Sequence, residues 1–202
     1  MTSLSRIALV LPLLAAACGS PQQQALHAYS HGEFETALES WTAQAEAGDA
    51  DAQFLVGAML EEGSGCAPDP AAAAVWYTAA AEQGHAAAWN NLGLLRYRGL
   101  GVEQSSATAA VCFERAARQD HAPALCNLGL LHLLGHGVEQ DLDRARALFV
   151  RSADLGDAKA AYLLGRVHLH GIGVPVDEDL GRSWLRRAAE RGNRLSAAAL
   201  ER

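Results

Sequence analysis

The chain of 202 residues is half apolar but only 6 % aromatic, and alanine is very frequent. This favours helices packed closely through small side chains, supplies length for one domain with a sizeable core and excludes disorder for most of the chain. The net charge of −7 hides an asymmetry, since no Lys or Arg lies between Ile7 and Leu95 whereas Arg recurs from Arg96 onward; an acidic front half excludes nucleic acid as the main partner, because phosphate binding needs clustered cations.

The opening "MTSLSRIALVLPLLAAACGS" has the three parts of an export signal. Arg6 gives the positive start, Ile7 to Leu14 the apolar stretch, and Ala15-Ala16-Ala17 a small-residue cleavage site before Cys18. The apolar run is far short of the roughly 20 residues that span a bilayer, and Pro12 interrupts it. Residues 1–17 therefore read as a signal peptide. Small residues followed by Cys resemble the lipobox of bacterial lipoproteins. That resemblance implies lipidation of the Cys18 thiol, a membrane anchor through the lipid, and, with Gly19 rather than Asp next, a periplasmic protein held at the outer membrane. It departs at Ala15, where Leu is usual. Cleavage after Ala17 by an ordinary signal peptidase stands beside it and would leave a soluble periplasmic protein. Residues 18–24, ending in "SPQQQ", read as a short polar tether.

Residues 25–48 read as a helix pair with a short turn, a cap on the N-terminal end of a repeat array. From residue 49 the sequence repeats. Shifted by 36 residues, Gly57, Gly93, Gly129 and Gly165 align, as do Gly63, Gly99, Gly135 and Gly171, and Gly65, Gly101, Gly137 and Gly173. Gly48, Gly84, Gly156 and Gly192 form a further register in which Asp120 is the one exception. A fixed period in this range is the signature of a solenoid. The fold class expected is all-α, an α-α superhelix of antiparallel helix pairs, with full units at 49–84, 85–120, 121–156 and 157–192 and a C-terminal cap at 193–202.

Within each unit the first helix, for example Ala86 to Arg98, has apolar residues at helical spacing and ends at Gly-x-Gly. The second starts at Asp69, Ser105, Asp141 or Asp177, residue types whose side-chain oxygens accept from free backbone N–H groups. It carries a bulky pair at its middle (Trp76-Tyr77, Cys112-Phe113, Leu148-Phe149, Trp184-Leu185) and closes on the glycine of "EQGH", "DLGD" or "ERGN", which fits a left-handed C-terminal cap. Asp49, Asp157 and Asn193 then cap the next helix.

These residues, as "AxxxLGxxxxxGxGV…AxxxxxxAAexG", resemble the Sel1-like repeat, a relative of the tetratricopeptide repeat. The resemblance covers about Asp49 to Gly192. It departs where the family usually has Tyr, three residues after the first-helix Gly: Leu60, Arg96, His132 and His168 stand there.

Chemical motifs point away from catalysis. The Gly-x-Gly pairs lack the preceding strand and following Lys of a phosphate-cradling loop. His132, His136, His168 and His170 invite a zinc site, but Gly135 and Gly137 break the helix between the first two and no Cys or carboxylate completes the three or four ligands zinc needs; no metal or cofactor is expected. Cys66 and Cys112 occupy apolar register positions and read as small core residues. A Cys112–Cys126 bridge across adjacent helices stays open, since an exported compartment permits disulfides. No catalytic residue stands out. Some exported members of the family bind or cleave β-lactams, which the resemblance leaves as an alternative, but their cysteine pattern and any Ser-x-x-Lys are absent.

Solenoids expose a concave surface lined by their first helices. By analogy with tetratricopeptide repeats, the lining implied here includes Phe54, Asn90, Asn91, Leu94, Tyr97, Arg98, Asn127, Leu130, Tyr162, Arg166 and His170. Asn offers both donor and acceptor to a peptide, and Tyr and Arg are frequent interface anchors. Asn91 and Asn127 have an equal alternative, bonding neighbouring helices. The function expected is a non-enzymatic protein-binding or scaffolding module of the bacterial envelope, engaging a protein or peptide partner on the concave face; a structural spacer is the further alternative.

Overall fold

The computed structural model describes residues 19–200. The signal peptide and Cys18 lie outside the described residues. Among those described, every regular element is a helix: α1 (Pro21–Ser30), α2 (Phe34–Glu46), α3 (Ala50–Glu62), α4 (Pro70–Glu82), α5 (Ala86–Arg98), α6 (Ser106–Ala117), α7 (Ala122–Leu134), α8 (Leu142–Asp154), α9 (Ala158–His170), α10 (Glu178–Glu190) and α11 (Arg194–Leu200). The chain divides into two compact units, 1–104 and 105–202. In the first, α1 packs on α2, α2 on α3, α3 on α4 and α4 on α5; in the second, each helix from α6 to α11 packs on the next.

The caps sit where the repeat register puts them. Asp69 accepts from the N–H groups of Ala71 and Ala72, Ser105 from Thr108, Asp141 from Arg144 and Asp177 from Leu180. Asp49, Asp157 and Asn193 do the same for α3, α9 and α11. Each such side chain satisfies a donor that the helix start leaves open. One expectation needs correcting. Residues 21–24, which read as part of a tether, form the first turn of α1, with Ser20 as its cap and Pro21 at its first position. A Ser-Pro pair at a helix entrance is a start signal, and glutamine has good helix propensity.

The glycines do two physical jobs. Both members of each Gly-x-Gly hold positive φ, for instance +69° at Gly135 and +71° at Gly137, a conformation that costs a side chain about 1 kcal/mol or more. The second member also permits close approach to the repeat before it. A Cβ on Gly65 would stand 2.6 Å from the Phe34 carbonyl, on Gly101 it would collide with the backbone of Pro70 and Ala71, and on Gly137 with that of Ser106 and Ala107. On Gly173 it would meet the Leu142 side chain at 2.8 Å. Phe34, Pro70, Ser106 and Leu142 open α2, α4, α6 and α8, so each joint rests on the entrance of the preceding second helix. In mid-helix, Gly57, Gly129 and Gly165 face the rings and methyls of Tyr77, Phe149 and Leu185, each 2.7 Å from where a Cβ would be. This close approach goes with the burial of Tyr77, Phe149 and Leu185. Asp120, the exception in the helix-closing register, is also the only non-glycine residue with positive φ among those described, at +57°.

Candidate functional site

The position where Tyr is usual in the Sel1-like pattern serves the joint. The carbonyls of Leu60, His132 and His168 accept from the N–H of the next cap, Asp69, Asp141 and Asp177, at 2.8–3.0 Å. His132 is buried, and its Nδ1 lies 3.2 Å from the Glu139 carbonyl oxygen. This histidine is a structural element of the turn. His136 and His170 are exposed and His168 half-buried; among the described residues no three His, Cys, Asp or Glu side chains gather as a metal site. Cys112 and Cys126 are both buried and unbridged, so the disulfide left open by the sequence is not formed. Burial pushes the Cys126 thiol up to about 12, with Lys159 opposing the rise.

The residues expected to line a binding face fall into two groups. Asn90 and Asn91 are each only 6 % exposed. Asn90 donates to the Asn91 side chain at 3.2 Å, Asn91 donates to the Tyr77 phenol at 3.2 Å, and Tyr77 donates to Glu61 at 2.9 Å. This chain ties α5 to α4 and α3, so these amides hold helices together. Phe54 is buried as well, 5.9 Å from the Tyr77 ring and stacked on His85 at 4.6 Å. Tyr162 is half-buried and packs on a core cluster that contains Cys126, Phe149 and Leu164. Leu94, Tyr97, Asn127 and Leu130 are half-buried, while Arg98, Arg166 and His170 are exposed.

Each first helix carries a stripe of outward positions. In α7 it runs through Pro123, Asn127, Leu130 and Leu134, and in α9 through Lys159, Leu163, Arg166 and His170. Each set has the i, i+4, i+7, i+11 spacing of a single helix face. Asn127 accepts from Lys159 Nζ at 3.3 Å, bridging the two helices across it. The sequence reading leaves out Pro123, Leu134, Lys159 and Leu163, although the spacing that picks out Asn127 and Leu130 reaches them directly. In the first unit the equivalent face of α5 holds Ala87, Asn91, Leu94 and Arg98, and only Arg98 is fully exposed.

His85 is a further structural site that sequence reasoning passes over. Its Nδ1 accepts from the Ala88 N–H at 3.1 Å, capping α5, and its Nε2 lies 3.4 Å from Asp51. Burial holds this imidazole below its ordinary pKa, against the pull of Asp51.

Antiparallel helix pairs joined by Gly-x-Gly, with a stripe of mixed apolar and polar residues on the first helices, define an all-helical repeat solenoid. The chain belongs to the Sel1 repeat family, whose repeat matches residues 50–85, 86–121, 122–157 and 158–193. Among solved structures it is similar to a Sel1 repeat protein from Oxalobacter formigenes, at 29 % identity and TM-score 0.80, over 94 % of this chain and 80 % of that one. It is also similar to c5321, a protective antigen of uropathogenic Escherichia coli with the same repeat fold, at 28 % identity and TM-score 0.77; the match covers 98 % of this chain but only 43 % of c5321. A Sel1 repeat protein from Klebsiella pneumoniae shares the fold at 20 % identity and TM-score 0.58, over 90 % of both chains. No curated protein matches the chain. Sel1 repeats are in general protein–protein interaction modules and non-catalytic scaffolds.

Proposed function

We propose that the protein is an envelope-located scaffold that binds a segment of a partner protein along the outward stripe of its first helices, and that it is tethered to the outer membrane through lipid on Cys18. The observation that carries the binding face is the stripe on α7 and α9. Leu134 is 51 % exposed and shares its face of α7 with Leu130, while the corresponding face of α9 carries Leu163 and the exposed Lys159 and Arg166. Apolar residues with charged neighbours in one helical register offer a partner both buried area and orientation. The second helices carry exposed apolar residues too, such as Val111, and these serve as the control.

The test is affinity purification from detergent-solubilised envelope, comparing the wild type with Leu130→Asp/Leu134→Asp and with Val111→Asp. The proposal expects a co-purifying protein that the double variant loses and the control keeps. Loss with Val111→Asp alone would overturn the assignment of the face. Mass spectrometry of the mature N-terminus tests the anchor: a diacylated Cys18 is expected, and a free Cys18 amine without lipid would contradict it.

A further inference from the structure

Resting on the reading of the first-helix stripe as a docking face, we propose that its portion in the second unit is selective for an extended peptide segment in which acidic side chains are interspersed with apolar ones. The α7 sequence APALCNLGLLHLL and the α9 sequence AKAAYLLGRVHLH contain no carboxylate. In a chain with 23 acidic and 16 basic side chains, two successive outward helices without an acid are not what composition alone would give. In the first unit α5, AAAWNNLGLLRYR, is likewise free of carboxylates, whereas α3 carries Asp51, Glu61 and Glu62.

The cations of this face are also placed differently from those around it. On the second helices of the same unit, Arg144 pairs with Glu114, Arg146 with Asp143, Arg151 with Asp120 and Arg187 with Asp154. On the first helices, Lys159 donates to the neutral amide of Asn127 at 3.3 Å, and among the described residues no ion pair engages Lys159 or Arg166. Asp157, which opens α9, is committed to the Ala160 N–H at 2.7 Å. An incoming carboxylate therefore finds Arg166 and Lys159 without an internal acid to displace. A guanidinium suits a carboxylate because it binds in a two-pronged fashion. Leu130, Leu134 and Leu163 supply the apolar contact that provides most of the affinity, while the charges set selectivity and approach rate. A basic peptide meets like charge at both Lys159 and Arg166.

The experiment selects from a random twelve-residue phage-displayed peptide library on the purified full-length protein, and measures the enriched peptides by fluorescence anisotropy. The proposal expects enriched peptides with net negative charge and several apolar residues. Their binding should fall at least tenfold in Lys159→Glu/Arg166→Glu, fall less in Lys159→Gln/Arg166→Gln, and weaken with salt. Enrichment of neutral or basic peptides, no enrichment, or equal binding by the charge-reversed variant would overturn it. Thermal melts of both variants report folding. A photo-crosslinker at position 130 or 111 separates charge selectivity from the choice of face. Basic peptides that crosslink at 130 sink the charge selectivity and leave the face standing. Peptides that crosslink only at 111 sink the face.

Discussion

The side-chain amide of Asn91 donates to the Tyr77 phenol at 3.2 Å, and the phenol donates onward to Glu61 at 2.9 Å. The sequence leaves Asn91 open between a binding face and a bond to a neighbouring helix, and its bond to Tyr77 makes it structural. Removing a buried partner leaves a polar group unsatisfied and costs about 1–3 kcal/mol. Asn91→Ala should therefore lower the urea midpoint clearly. A double-mutant cycle with Tyr77→Phe should show coupling of about 1 kcal/mol. Additive effects would mean that Asn91 acts elsewhere.

The close approach of Gly137 to the backbone of Ser106 and Ala107 makes a comparison between glycines informative. Gly156 has a more extreme φ of +104° but nothing within 4 Å of where a Cβ would sit. Gly156→Ala carries only the conformational cost, about 1 kcal/mol. Gly137→Ala carries that cost plus a steric one of about 1–3 kcal/mol. Equal denaturation midpoints for the two variants would refute the idea that the joint docks on the preceding repeat.

His85 makes stability depend on pH. Its Nδ1 caps α5 only while unprotonated, and its pKa in the folded protein is depressed, chiefly by burial. The unfolded state takes up the proton first, as pH falls through the ordinary imidazole value of about 6.5. Stability contributed by this residue is thus full above that value, declines below it, and levels off once the folded form also protonates. Asp51 moderates the decline by favouring the charged ring. Asn caps a helix without titrating. The loss of urea stability between pH 7.5 and 5.5 should be smaller in His85→Asn than in the wild type; an identical loss would show that His85 is not the group responsible.

Asp120 stands in a register otherwise held by glycine and keeps a φ of +57°. Its carboxylate lies 2.6 Å from Arg151 Nη2 and 2.8 Å from Nε. Both side chains are more than half exposed, so the pair is worth little, about 0–1 kcal/mol at most. Relief of the left-handed conformation is of similar size. Asp120→Gly should leave the thermal midpoint nearly unchanged or raise it slightly. A marked drop would show the ion pair to be stronger than its exposure implies.

Much of the fold is legible in the sequence because its determinants are backbone demands that few residues meet. Positive φ and close approach select glycine, so Gly63, Gly65 and their equivalents expose the period directly, and Asp69, Ser105, Asp141 and Asp177 mark the helix starts. Asp120 shows the logic in reverse, since the break in the register coincides with the one non-glycine left-handed residue among those described. The surface is less legible. A repeat register says that Asn91 lies on the outward stripe of α5, but not that Tyr77 on the preceding helix captures its amide. Phe54 looks like a groove residue from its register, because its stacking partner His85 belongs to the next repeat and is invisible to a reading of one unit. At residues 21–24 composition misleads, because polarity suggests a tether where Ser20 and Pro21 begin a helix.

The central claim is that the outward stripe of the first helices is where a partner docks. The most direct measurement is site-specific photo-crosslinking in intact cells, with the photoreactive residue placed in turn at positions 94, 130 and 166 on first helices and at 75 and 111 on second helices. A docking stripe predicts a common protein adduct from one or more of the first-helix positions and none from Val75 or Val111. An adduct formed only from the second-helix positions would contradict it.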